Sequence, residues 1–191
     1  VKQLNITMGS PLRNTTIFSF FDTIFMMQIN ALNYKKKAFY YKDIMLLVQD
    51  PCFIKLTDGK ILKEFKDSLI KENIVFVKQS HLSKYFNRED SIYQLFNLWK
   101  NSQDALLLLE QLTNLLRKHL LEEKGTVEIE ILIVFYKNIL ILKNLIVESD
   151  FEINLKTLQS VMNQLLAKEI IPFQGEPLEG VQLMGILESR T

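Results

Sequence analysis

The stretch "VEIEILIVFYKNILILKNLIV", from Val127 to Val147, constrains this chain more than any other. It is long enough to cross a bilayer, so it forms either a membrane span or a helix covered by other parts of the protein. Glu128, Glu130, Lys137, Asn138, Lys143 and Asn144 lie within it. A charge near the middle of a span costs about 3 kcal/mol on insertion scales. The stretch is therefore read as a core helix, and no membrane partner is expected.

The segments before it carry the same helical period. In "SQDALLLLEQLTNLLRKHLLEEKG", Ser102 and Asp104 stand at the start and Gly125 at the end of an amphipathic pattern. After Asn14 and Thr15, either of which can cap a helix, Ile17, Phe18, Phe20, Phe21, Ile24, Phe25, Met27 and Ile29 are too dense for a strand. Further helices are predicted over Tyr41–Val48, Ile61–Lys71, Ser91–Trp99 and Leu155–Ala167. Asp50 and Pro51 close the first of these, because the residue before a proline is biased away from helical geometry. "TDGK" from Thr57 reads as a turn and "IVFV" from Ile74 as a short strand.

The two ends differ from this helical middle. Leu4–Thr7 has strand propensity and runs into Gly9, Ser10 and Pro11; Ile170–Phe173 and Val181–Leu187 form two strands around a loop with Gly175, Pro177 and Gly180. A lone strand leaves backbone N–H and C=O groups unpaired. These strands are thus expected to meet each other, or to join a sheet formed elsewhere. The fold class is mainly α, α+β overall, with a helical subdomain inserted between a few β-strands contributed by the N- and C-terminal ends.

Charge is nearly balanced, 23 Lys and Arg against 22 Asp and Glu, so no overall basic field announces a nucleic-acid partner. The single cysteine, Cys52, excludes an internal disulfide framework and reads as a small buried hydrophobe, in keeping with a reducing cytoplasm. The chain opens at Val1 with no signal-peptide pattern and is read as a segment of something longer.

Self-contained catalytic chemistry is not apparent. The only Gly-Lys pair, Gly59-Lys60, is followed by Ile61, and Ile54 occupies the earlier glycine position of a P-loop. His81 and His119 have no metal-ligand spacing to each other or to Cys52, so both are read as structural. Glu122 with Glu123, and Glu128 with Glu130, are ordinary solvated pairs. Lys35, Lys36 and Lys37 form a basic run flanked by Tyr34, Tyr40 and Tyr41. Two readings stay open for it: a solvated loop beside core aromatics, or phosphate contacts with rings that stack on bases.

The closing residues "VQLMGILESRT" resemble a segment of UvrD-like superfamily 1 helicases, in which a strand of the second RecA-like lobe ends in a loop toward DNA and nucleotide. There the pattern runs Val-x-x-Met-Thr-x-His-x-x-Lys-Gly-Leu-Glu. Val181, Leu183 and Met184 match the strand, while Gly185, Leu187, Arg190 and Thr191 stand where Thr, His, Lys and Gly are usual. With "GEPLEGVQLMGILESR", the altered form resembles the B subunit of AddAB-type helicase–nucleases, in particular Bacteroidetes proteins with an inactivated helicase region followed by a PD-(D/E)XK nuclease domain. "NITMGSPLRNTTIFSFFDTIFMMQ" is similar to the strand, turn and helix that open the same lobe. Gly9, Ser10, Pro11 and Leu12 fill a turn that carries Asn-Tyr-Arg-Ser in active relatives, and Arg13 comes late.

The resemblance implies a division into residues 1–33, the strand, turn and helix of the second lobe; residues 34–168, an inserted helical subdomain; and residues 169–191, the returning strands. It implies a parent protein that processes DNA ends in double-strand-break repair. DNA and an AddA-like helicase subunit are the implied partners. No cofactor is expected in this segment; ATP with magnesium, and a nuclease metal, would belong to the parent alone. The residues implied for DNA or interdomain contacts are Glu188, Ser189 and Arg190, with Arg13, and the physically available phosphate contacts are Lys35, Lys36, Lys37, Arg117 and Lys118. A helical protein-docking module is the alternative, and Arg190 has the simpler reading of a salt bridge within its own lobe.

Overall fold

The computed structural model describes residues 4–6, 10–34, 37–122, 126–149, 153–171 and 181–183. Their order is β1 (Leu4–Ile6), β2 (Ser10–Pro11), a 3-10 turn (Leu12–Asn14), α1 (Thr16–Tyr34), β3 (Phe39–Tyr40), α2 (Tyr41–Gln49), α3 (Pro51–Lys55), α4 (Gly59–Lys71), β4 (Phe76–Val77) and α5 (Gln79–Leu82). A 3-10 turn (Tyr93–Phe96), α6 (Ser102–Glu122), α7 (Thr126–Ser149), α8 (Leu155–Leu166), β5 (Ile170–Ile171) and β6 (Val181–Leu183) follow. The protein is mainly α, with short strand pairs at its edges.

α1 organises the core. Thr15 caps it, its hydroxyl oxygen accepting the Phe18 N–H at 3.2 Å. Phe20, Phe21, Ile24, Phe25 and Met27 are fully buried, and α1 packs against α2, α3, α7 and α8. Phe21 stacks on Phe135 of α7 with ring centroids 4.1 Å apart. Phe25 meets Trp99 edge to face at 5.1 Å. Each such ring contributes about 1.5–3 kcal/mol through burial, which makes this junction of α1 with α7 and the segment before α6 the centre of the molecule.

The long apolar stretch is a core helix in part. α7 buries Leu132, Phe135, Ile139 and Leu142 in a stripe at helical spacing and packs along α6, which offers Ala105, Leu109, Leu112 and Leu116. On the outer side Ile133, Ile141 and Leu145 are exposed. Lys143 of α7 donates to Glu110 of α6 at 2.8 Å, and the Tyr136 hydroxyl donates to the same carboxylate at 3.3 Å. No helix among the described residues is long and apolar enough to cross a membrane.

The strand-forming ends do meet. β1 and β6 run parallel with Leu4 opposite Val181 and Ile6 opposite Leu183. β2 and β5 run antiparallel with Ser10 opposite Ile171 and Pro11 opposite Ile170. Proline has no N–H to give a ladder, and its place in a two-strand edge pair fits that restriction. The Leu12 N–H donates to the Glu169 carbonyl at 3.0 Å, which ties the start of α1 to the end of α8. The predicted extensions of these strands to Thr7, Phe173 and Leu187 lie outside the described residues.

Three expectations need correction. The helix predicted over Ser91–Trp99 is only a 3-10 turn at Tyr93–Phe96; the Gln28 side chain takes both the Leu95 carbonyl, at 2.9 Å, and the Trp99 N–H, at 3.2 Å, which such a helix would pair with each other. Pro51 is more than a stop: Asp50 ends α2 and caps α3, with Pro51 opening the new helix, its carboxylate accepting the Cys52 N–H at 2.8 Å. The "TDGK" turn is likewise a helix start, with Asp58 accepting from the Lys60 N–H at 2.7 Å.

Candidate nucleic-acid interface

Two of the candidate cations lie at opposite ends of α1. Arg13 is exposed on the 3-10 turn before α1, and Lys37 is exposed just beyond the other end of that helix. The 19 residues of α1 separate them, roughly 28 Å at 1.5 Å per residue. Arg117 and Lys118 are adjacent and exposed in the last third of α6, and neither has a hydrogen-bond or ion-pair partner among the described residues. Lys35, Lys36, Glu188, Ser189 and Arg190 lie outside the described residues.

Around Lys37 the local geometry is specific. Lys37 has φ 47°, a left-handed conformation unusual for a side chain larger than glycine, and it reverses the chain between α1 and β3. β3 then pairs with β4, placing Tyr40 opposite Phe76, and the Tyr41 N–H donates to the Val75 carbonyl at 3.0 Å. The Tyr34 ring lies 5.7 Å from Tyr40 and 5.5 Å from Phe76. Tyr40 and Tyr41 are half-buried, and Tyr34 is 42% exposed. Of the three tyrosines, Tyr34 is the most exposed, and its ring packs beside those of Tyr40 and Phe76.

Both histidines are placed. His119 is half-buried near the end of α6. His81 is buried, and its Nε2 lies 3.1 Å from the Ser68 hydroxyl. Ser68 donates to the Phe65 carbonyl at 2.7 Å, and the roles of the Ser68 oxygen and Nε2 in their own contact follow from the imidazole tautomer. Burial is the main cause holding the imidazole below the usual histidine range; Glu72 opposes it and Lys84 adds to it. The pairing was not visible in the sequence, because two residues from different helices make it through tertiary packing.

Cys52 is buried, and desolvation, reinforced by the Asp50 carboxylate, pushes its thiol up to about 12. A thiol so held is an inert core group. Among the described residues no group of three or more His, Cys, Asp and Glu side chains is placed to hold a metal ion. The arrangement offers Arg13 and Lys37 at the two ends of α1, the adjacent exposed pair Arg117 and Lys118 on α6, and Tyr34 at 42% exposure.

Comparison with family models, curated proteins and solved structures finds no match to this chain.

Proposed function

We propose that this chain is a non-catalytic scaffolding and DNA-contacting segment of a cytoplasmic helicase–nuclease that processes DNA ends in double-strand-break repair and recombination. The observation that carries the reading is the parallel pairing of Leu4–Ile6 with Val181–Leu183. Parallel neighbours need a crossover between them, and here the crossover is the whole helical block. Such a crossover supports the organisation that the resemblance of "VQLMGILESRT" and "NITMGSPLRN" implies, a helical subdomain inserted between strands of one lobe. Residues 1–33 and 169–191 would frame the lobe, and residues 34–168 would be the insertion, with an AddA-like subunit as partner.

DNA contact would come from Arg117, Lys118 and Lys37, with Tyr34 as a stacking face. Such contacts neutralise phosphates without reading sequence, and they weaken steeply as salt rises. Titration of the chain with fluorescent single-stranded and duplex oligonucleotides at increasing salt tests this. Binding that falls linearly on logarithmic axes is expected, and no binding to either at low salt would reject the DNA role. A second reading, a helical protein-docking module, has the outward Ile133, Ile141 and Leu145 of α7 in its favour, at 42, 48 and 53% exposure.

A further inference from the structure

A groove of about 950 Å³ separates α6 from the segment that leads into it. On the α6 side Leu107, Gln111 and Asn114 follow one another at helical spacing. Leu107 is 52% exposed, and Gln111 and Asn114 are exposed with no hydrogen-bond partner among the described residues. The opposite wall is a chain of carboxamides. Gln79 Nε2 donates to Asn97 Oδ1 at 3.4 Å, and Asn97 Nδ2 donates to Gln94 Oε1 at 2.6 Å. The row is held in place while Gln79 Oε1 and Gln94 Nε2 stay uncommitted.

Leu98, Leu108 and Trp99 contribute apolar surface between the walls. Trp99 is 3% exposed, and its indole N–H is buried without a hydrogen-bond partner. The charged residues of the groove are Glu89, Asp104 and Lys100, an acidic balance. None of Arg13, Lys37, Arg117 and Lys118 lines it.

A carboxamide offers a donor and an acceptor together, and a peptide main chain presents the same alternation along its length. Two carboxamide walls across an apolar strip match an extended backbone whose side chain enters the strip. A nucleic-acid strand fits poorly, since its phosphates would meet two carboxylates and one lysine. We propose that this groove binds an extended peptide segment of a partner protein, one carrying a lysine or arginine beside an apolar residue. None of its lining residues is a proposed DNA contact, although Lys118 follows Asn114 one turn further along α6, and the groove would stand as a peptide site if those contacts failed.

The chain's single tryptophan makes the groove observable. Short tryptophan-free peptides selected from a displayed random library against the intact chain would be titrated while Trp99 emission is recorded. Expected are sequences enriched in a basic residue next to an apolar one, and a saturating emission change. Affinity should fall roughly tenfold or more, the effect of losing a central contact, in the double variant Gln111→Lys/Asn114→Lys. Leu107→Ser should weaken it as well; all three residues are exposed, so far-UV circular dichroism should match the parent chain. The proposal is overturned if no sequence is enriched, if selected peptides leave Trp99 emission unchanged or bind the variants equally, or if a single-stranded oligonucleotide displaces them.

Discussion

The backbone N–H of Trp99 donates to the side-chain carbonyl of Gln28 at 3.2 Å, joining the segment before α6 to the middle of α1. The same carboxamide donates to the carbonyls of Leu95 and Asn97, and it is completely buried. One side chain thus satisfies backbone groups that would otherwise be left unpaired. Gln28→Leu keeps the volume and orphans them, so a loss of about 2–4 kcal/mol is expected from desolvated, unmade bonds. Urea unfolding followed by Trp99 emission measures it; a change below about 0.5 kcal/mol, the range of ordinary surface substitutions, would show that the clamp contributes nothing.

Phe135 lies against Phe21 at an interplanar angle of 17°, and both are buried to within 1% exposure. Removing the ring opens a cavity between α1 and α7, and Phe135→Ala should cost about 3–5 kcal/mol. Phe135→Leu refills much of the volume and should cost less. Equal losses for the two variants in denaturant midpoints would mean that the site collapses instead of retaining a cavity.

His81 makes the acid stability limb readable. Its folded-state pKa lies below the unfolded value near 6.5 because the ring is buried. The unfolded chain therefore binds the proton more readily, and stability rises with pH in this window. The contribution is fully present above pH ~6.5 and is lost as pH falls through the folded-state pKa. Asp43 and Asp50 are shifted upward by burial, so protonating them works in the opposite direction at lower pH. Comparison of the parent chain with His81→Leu should show a shallower pH dependence between about pH 6.5 and the onset of carboxylate titration. Identical slopes would remove His81 as the cause.

Much of the helical framework was legible because period and caps agree. α8 was expected over Leu155–Ala167 and runs Leu155–Leu166, with Asn154 accepting from the Thr157 N–H at 2.9 Å. The segment before α6 misled for a physical reason: Tyr93, Leu95, Phe96 and Trp99 have helix-like spacing, yet Gln28, far away in sequence, takes both the Leu95 carbonyl and the Trp99 N–H, which a helix would pair with each other. β3 and α5 left no periodic signal, since two strand residues and four helical ones span too little chain to show a repeat. Arg13 and Lys37 were legible as cations, but their separation was not, because it is set by the 19 residues of α1 that lie between them. The groove beside Trp99 was invisible because it is assembled from positions between Gln79 and Leu115.

Asp50 and Asp58 cap successive helices in different surroundings. Asp50 is 9% exposed and Asp58 is exposed. Replacing either by alanine removes a bond to a helix N–H, worth about 0.5–2 kcal/mol. Asp50→Ala should fall at the upper end, because the Cys52 N–H it leaves has no water to turn to. Thiol labelling gives a second readout, since Cys52 is the one thiol and should react with a maleimide only after unfolding. Asp50→Ala should label faster than Asp58→Ala; the reverse order would place the weaker cap at the buried site.

Arg117 and Lys118 supply the sharpest test of DNA contact, because they are adjacent, exposed and free of protein partners among the described residues. Reversing both charges should leave folding intact, since surface changes of this kind usually stay within about 0.5 kcal/mol. If both side chains neutralise phosphates, each lost contact lowers the slope of log affinity against log salt by about 0.7–0.9. Arg117→Glu/Lys118→Glu should thus bind oligonucleotides more weakly at low salt and approach the parent chain as salt rises, whatever the base sequence. Tyr34→Ala should instead weaken single strands more than duplexes, as loss of a stacking face would. A double reversal with an unchanged salt slope would assign any DNA binding to residues other than this pair.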